Sequence, residues 1–248
     1  MTVQNYFDLA GKVALITGGS RGLGREMALA FADAGADVIV SSRKLESCEE
    51  VTAQIRGMGR RSLAVAAHAG KWAEIDGLVA AAYATFPQID ILVNNAGMSP
   101  SMPSPQVTEE LFDKVVSLNF KGPFRLSALV GQRMMSAGGG CIINISSGAA
   151  FKPMPNVVAY AGAKAALNAM TVSLAQEFAP AVRVNAIAAG PFLTDISKAW
   201  PEEARRTANN AAGRPGRPDE IVTTALYLAS TASSYVNGAV VRCDGGLR

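Results

Sequence analysis

Short apolar runs alternate along this chain with longer amphipathic stretches, and that alternation limits the fold more than any other feature. Residues 13–17, 37–42, 62–67, 89–93, 141–145, 182–188 and 239–242 read as strands. Residues 22–34, 45–58, 72–86, 109–135, 157–179 and 219–230 carry helical periodicity. Strands that are apolar throughout are buried on both faces, which is the habit of parallel sheets covered by helices. Right-handed crossovers then wind the sheet twice. The expectation is an α/β fold with one seven-stranded parallel sheet and helices on both faces. With 248 residues, 49% of them hydrophobic, the chain suits one well-buried core. It is read as a single domain over 1–248. Its longest irregular region, 192–218, is expected to form a lid over substrate.

Composition excludes several classes. Only 17% of residues are charged, so intrinsic disorder is ruled out. The net charge is +3, but Lys and Arg are dispersed, which argues against nucleic-acid binding. No run reaches about 18 apolar residues, so no membrane span is expected. Residues 1–12 lack a charged start followed by an apolar run, so no secretory segment is expected. Cys48, Cys141 and Cys243 are odd in number and far apart, and fit neither a disulfide framework nor a zinc site. A reduced, cytoplasmic setting follows. His68 is the single histidine, which argues against a multi-histidine metal site.

The segment Thr17-Gly18-Gly19-Ser20-Arg21-Gly22-Leu23-Gly24 joins the first strand to the first helix. Gly18 permits a tight turn, Gly22 lets backbone approach a pyrophosphate, and Gly24 lets the helix pack close. The N–H groups of the helix start then face phosphate charge. The spacing is GxxxGxG rather than GxGxxG, yet its place after a buried strand points to a Rossmann-like dinucleotide site. The second strand ends at Ser41-Ser42-Arg43, with no acid for the ribose hydroxyls of NAD. Arg21 and Arg43 can instead pair with a 2′-phosphate, so NADP(H) is favoured over NAD(H). Both are equally at home as solvated surface arginines.

Tyr160 and Lys164 are four residues apart on a predicted helix and share a face. A tyrosine titrates near pH 10, too high for a base at neutrality. A nearby ammonium is expected to lower that value and let Tyr160 shuttle a proton. Ser146 and Ser147 follow the fifth strand, at the carboxyl edge where ligands bind such sheets. Either serine can donate to a carbonyl oxygen that gains negative charge. Asn119 lies in the long predicted helix, and Pro123 has no N–H to give its carbonyl. That carbonyl is then free to hold a water.

Together these motifs resemble the short-chain dehydrogenase/reductase family, in particular its 3-oxoacyl reductase-like and sugar or alcohol dehydrogenase-like members. The resemblance covers nearly the whole chain. It is carried by the Thr17–Gly24 turn, Asn94-Asn95-Ala96-Gly97, Asn119, Ser147, Tyr160-x-x-x-Lys164, and Asn185 through Thr194. It implies that Asn95, Ala96 and Gly97 brace the sheet and border the adenosine ribose. It also implies that Ser147 rather than Ser146 serves the substrate, that Lys164 bonds the nicotinamide ribose, and that Asn119 holds a water linking that lysine to solvent. Gly190 and Thr194 match nicotinamide contacts. The implied reaction is reversible hydride transfer between NADP(H) and an alcohol or ketone, with Tyr160 as acid and base. A homotetramer is implied as well. Two residues depart from the family pattern. His68 stands where many members place an Asp on the adenine amino group. A neutral imidazole has one acceptor nitrogen and can substitute, or His68 is an ordinary surface histidine. Ala189-Gly190-Pro191 stands where many members read Pro-Gly. The rival reading is a catalytically idle NADP(H)-binding regulator on the same fold. Such a protein would have lost Ser147, Tyr160 or Lys164, and all three are intact.

Overall fold

Wholly apolar strands need cover on both faces, and this chain supplies it with alternating helices. A computed structural model describes residues 6–247, except for the side chains of residues 196 and 199. Residues 1–5, part of the stretch read for a secretory segment, and residue 248 lie outside the described residues. The strands are β1 (Val13–Thr17), β2 (Asp37–Ser42), β3 (Ser62–Ala66), β4 (Ile91–Asn94), β5 (Gly140–Ser147), β6 (Val182–Ala189) and β7 (Val240–Cys243). They form one seven-stranded sheet in the order β3-β2-β1-β4-β5-β6-β7, and every pairing is parallel. The helices are α1 (Gly22–Asp33), α2 (Leu45–Gly57), α3 (Trp72–Thr85), α4 (Glu109–Val116), α5 (Gly122–Ser136), α6 (Val158–Glu177), α7 (Glu202–Arg206) and α8 (Val222–Ala229).

Alternate strand residues feed two cores, because successive side chains leave a strand on opposite faces. Ala14, Ile16, Val38 and Val40 pack with Met27, Phe31, Ile55 and Leu228 of α1, α2 and α8. Leu15, Ile39, Leu92 and Ile142 pack with Leu78, Leu126, Leu167 and Phe178 on the α3, α5 and α6 side. The strand order reverses between β1 and β4, which places the ligand crevice at their carboxyl ends.

Three boundaries differ from the sequence reading in ways that matter. β5 runs to Ser147, so both serines belong to its carboxyl end. The helix expected over 109–135 is interrupted by a π-turn at Ser117–Lys121, where the Gly122 N–H reaches back to the Ser117 carbonyl. Pro123 has no N–H to continue the regular helical ladder here, and a Cβ on Gly122 would run into the Ala69 carbonyl, so glycine stands at that contact. The region 219–230 opens with a 3₁₀ turn, Pro218–Ile221, before α8.

A chain of polar groups crosses the α5/α6 side of the core. Asn94 Nδ2 donates to Ser127 Oγ at 2.9 Å and to Asn144 Oδ1 at 2.8 Å. Asn144 Nδ2 donates to Thr171 Oγ1 at 2.9 Å, and Thr171 Oγ1 donates to the Leu167 carbonyl at 2.8 Å. All four side chains are buried. The chain ties β4, β5, α5 and α6 into one register, and a buried polar group is costly once a partner is lost. Asn144→Ala removes two of these bonds and leaves a cavity. It should lower unfolding stability by about 2–4 kcal/mol in urea titration. A loss of less than about 1 kcal/mol would mean that the network contributes little.

Candidate active site

The glycine turn is shaped by contacts that leave no room for side chains. Gly18 and Gly22 have φ of 63° and 53°, in the left-handed region that favours glycine. A Cβ on Gly24 would strike the Gly18 carbonyl and Asn95 Nδ2. Asn95 Nδ2 itself donates to the Thr17 and Gly18 carbonyls at 2.9 and 3.1 Å. Thr17 Oγ1 accepts from the Asn95 and Ala96 N–H groups at 3.1 and 3.2 Å. The segment after β4 is thus fastened to the turn after β1. Ser20 and Leu23 are half-buried, and Leu23 packs against the core. Helix α1 starts after Arg21 with no side-chain cap and no acid in its first turn. Its N–H groups are left for an anion, which suits the pyrophosphate of a dinucleotide. Across the crevice, a Cβ on Gly22 would lie 3.4 Å from Thr194.

The two arginines are not equivalent. Arg43 is exposed and makes no ion pair among the described residues. Arg21 reaches Asp195 at 3.1 Å, in the segment after β6. Asp195 has no counterpart among the residues singled out from sequence, because the contact joins positions 174 residues apart. Ser42 ends β2, donates to the Lys44 carbonyl at 3.3 Å and lies 3.1 Å from Cys48 Sγ. Beside it, the Ala67 N–H donates to the Ser42 carbonyl at 2.8 Å, which brings the end of β3 against the end of β2. His68 follows, and its Nδ1 accepts from the Gly70 N–H at 3.1 Å. Of the two alternatives for His68, the one that lends its acceptor nitrogen to a ligand meets this bond, which uses Nδ1 within its own turn.

At the end of β5 the two serines separate. Ser146 is buried, with Oγ 3.4 Å from the Lys164 carbonyl. Ser147 is half-buried, accepts from the Ala149 N–H at 3.1 Å, and hydrogen-bonds the Tyr160 hydroxyl. Tyr160 and Lys164 lie one turn apart on α6, with Lys164 Nζ 5.8 Å from the Tyr160 ring centre. Lys164 is 4% exposed and donates to the Ile145 carbonyl at 2.6 Å. A main-chain partner of this kind leaves no trace in side-chain motifs.

Burial pushes the Lys164 ammonium down to about 7 and pushes the Tyr160 phenol up, while the Ser147 hydrogen bond pulls the phenol down. The expected lowering of Tyr160 by its lysine does not win in this geometry. The same desolvation penalises both charged forms, so Lys164 is itself only partly charged near neutrality.

Asn119 sits in the π-turn and is fully buried. Its Nδ2 donates to the Met98 and Val115 carbonyls, both at 2.9 Å, and its Oδ1 accepts from the Met98 N–H at 3.4 Å. The side chain is thereby occupied in holding the loop after β4, and Pro123 offers its main-chain carbonyl no N–H. A Cβ on Gly97 would sit 2.8 Å from Asn119 Oδ1 and 3.7 Å from Lys164 Nζ. Glycine at 97 thus lets these two groups approach the loop.

Gly190 donates its N–H to the Cys243 carbonyl at 2.9 Å, and a Cβ there would lie 2.5 Å from Asp244 Cα. Close packing against the end of β7 accounts for this glycine. The loop then runs with Gly216, which exchanges hydrogen bonds with Pro191 and Leu193. Thr194 caps the 3₁₀ turn Asp195–Ala199. Among the described residues no group of three His, Cys, Asp or Glu is placed to hold a metal, and no helix is long and apolar enough to cross a membrane.

Comparison with known proteins identifies the family and the fold. The family model described as short chain dehydrogenase matches residues 12–205. An NAD-dependent glycerol dehydrogenase from Listeria innocua is 37% identical over 99% of this chain and 98% of the relative. The structure of a 7α-hydroxysteroid dehydrogenase with NADH and 7-oxo glycochenodeoxycholic acid superposes with a TM-score of 0.95 at 34% identity, over 99% of this chain and 98% of that one. A 3-oxoacyl (acyl-carrier-protein) reductase from Agrobacterium tumefaciens with NADP bound gives a TM-score of 0.93 at 31% identity, with the same two coverages. The chain belongs to the short-chain dehydrogenase/reductase family, oxidoreductases that act between CH–OH and C=O with a nicotinamide cofactor.

Proposed function

We propose that this protein is an NADP(H)-dependent ketone reductase or alcohol dehydrogenase in which Tyr160 handles the proton. The observation that carries this reading is the hydrogen bond between Ser147 and Tyr160 at the carboxyl edge of β5, with Lys164 buried one helical turn behind. When bound, the cofactor supplies or accepts the hydride at its nicotinamide ring. Gly18, Ser20, Gly22, Leu23 and Gly24 hold its pyrophosphate side. Ser42, Arg43, Asn95, Ala96 and Gly97 line its adenosine side, and Gly190, Thr194 and Lys164 line its nicotinamide side. Ser147 donates to the substrate oxygen, where negative charge gathers during reduction. Tyr160 gives that oxygen its proton, or removes it in oxidation. The carbonyl of Asn119, denied a helical partner by Pro123, holds a water toward Lys164.

The absence of a carboxylate at the end of β2 and the unpaired Arg43 support NADP(H) over NAD(H). Arg21 is the weaker contributor, since a phosphate must compete with Asp195 for it. Residues 192–218 act as a substrate lid on a single domain. Exposed Trp72, Phe112 and Phe124, on α3 to α5, suit subunit contacts in a homotetramer. The three free cysteines accord with a cytoplasmic setting. The substrate is a small carbonyl or alcohol compound.

Tyr160→Phe should lower kcat by about 10²–10⁴-fold while NADPH still binds, read by steady-state kinetics beside cofactor fluorescence. Near-normal turnover would remove Tyr160 from its role. Arg43→Ala should weaken NADPH about tenfold or more and leave NADH nearly unchanged. Equal effects on the two cofactors would end the case for NADP(H). A phenol pushed upward stays protonated across the neutral range, so the free site is set to give a proton. Oxidation needs the phenolate and should accelerate as pH rises above neutrality, whereas reduction should stay flat and then fall. Opposite slopes in pH–rate profiles would contradict this assignment.

A further inference from the structure

The turn after β3 holds its histidine in one orientation. The His68 N–H donates to Glu74 Oε2 at 2.7 Å, the Lys71 N–H donates to the His68 carbonyl at 2.9 Å, and the Gly70 N–H donates to His68 Nδ1 at 3.1 Å. Gly70 in turn is backed by Leu118, which a Cβ on that glycine would meet at 3.2 Å. A nitrogen that accepts a hydrogen bond carries no proton, so the neutral ring must carry its proton on Nε2. His68 is half-buried and presents a donor to its surroundings.

The crevice fixes what those surroundings receive. Phosphate charge belongs at the start of α1, and the ribose beyond it belongs at the end of β2. The base attached to that ribose lies farther from the phosphates, at the neighbouring end of β3. The Ala67–Ser42 hydrogen bond sets His68 directly beside the end of β2. A carboxylate at this position has two oxygens, one for the Gly70 N–H and one for a ligand amino group. An imidazole has one acceptor nitrogen, and the turn consumes it.

We infer that His68 reads the cofactor's purine as a hydrogen-bond donor through Nε2–H and therefore admits a 6-keto purine as readily as adenine. This rests on the cofactor reading above. Adenine offers ring nitrogens as acceptors, and hypoxanthine offers its 6-oxo oxygen. A carboxylate would instead favour the adenine amino group and face the 6-oxo oxygen unfavourably.

Because the chain has one histidine, ¹⁵N-histidine NMR of untagged protein reports this ring alone. The free protein should show the Nε2–H tautomer, and that signal should move when NADPH is added. A dominant Nδ1–H tautomer, or a signal unmoved by bound NADPH, would overturn the inference. In equilibrium fluorescence titration, the wild type should bind NADPH and its hypoxanthine analogue within about threefold of each other. His68→Asp should disfavour the hypoxanthine analogue by about tenfold or more. Wild-type rejection of that analogue by tenfold, or an Asp variant that ignores the difference, overturns the donor role. If neither cofactor binds the wild type, the cofactor reading fails instead, and the donor role falls with it.

Discussion

The buried line from Asn94 through Asn144 to Thr171 is the interaction on which the site depends. Ser147 rides on β5, while Tyr160 and Lys164 ride on α6. Apolar packing alone would hold these elements together without choosing a register, because hydrophobic contact is non-directional. The amide groups have fixed donors and acceptors, and they are satisfied in one arrangement. That arrangement brings Ser147 to the Tyr160 hydroxyl and Lys164 to the Ile145 carbonyl. A second polar brace, from Asn95 to Thr17 and Gly18, does the same for the glycine turn. The Ser147–Tyr160 end of the crevice and its glycine-turn end are thus each braced by an asparagine at or just after the end of β4.

Burial governs the chemistry of the pair on α6. Removing an ammonium and a phenolate from water disfavours both, which keeps the Tyr160 phenol protonated and brings the Lys164 ammonium down to about 7.

Much of this was legible in the chain itself. The strand periods and the GxxxGxG turn led to the doubly wound sheet, and Ser147, Tyr160 and Lys164 lie together at the end of β5. What was not legible depends on long-range geometry. Arg21 looked interchangeable with Arg43 until its partner, Asp195, arrived from the far side of the crevice. Asn119 looked like a helix residue beside a proline kink. It sits instead in a π-turn whose end, Gly122, packs against the Ala69 carbonyl, a contact between distant positions.

Sequence by itself determined the fold class, the dinucleotide-type turn and the residue types available for proton transfer. Each follows from local period, glycine placement or side-chain chemistry. Tertiary structure decided which groups are free to act. It buried Ser146 and left Ser147 at Tyr160, spent one His68 nitrogen on Gly70, and lowered Lys164 by desolvation. Solvation and hydrogen-bond partners belong to the packed environment, so no single position in the chain can carry them.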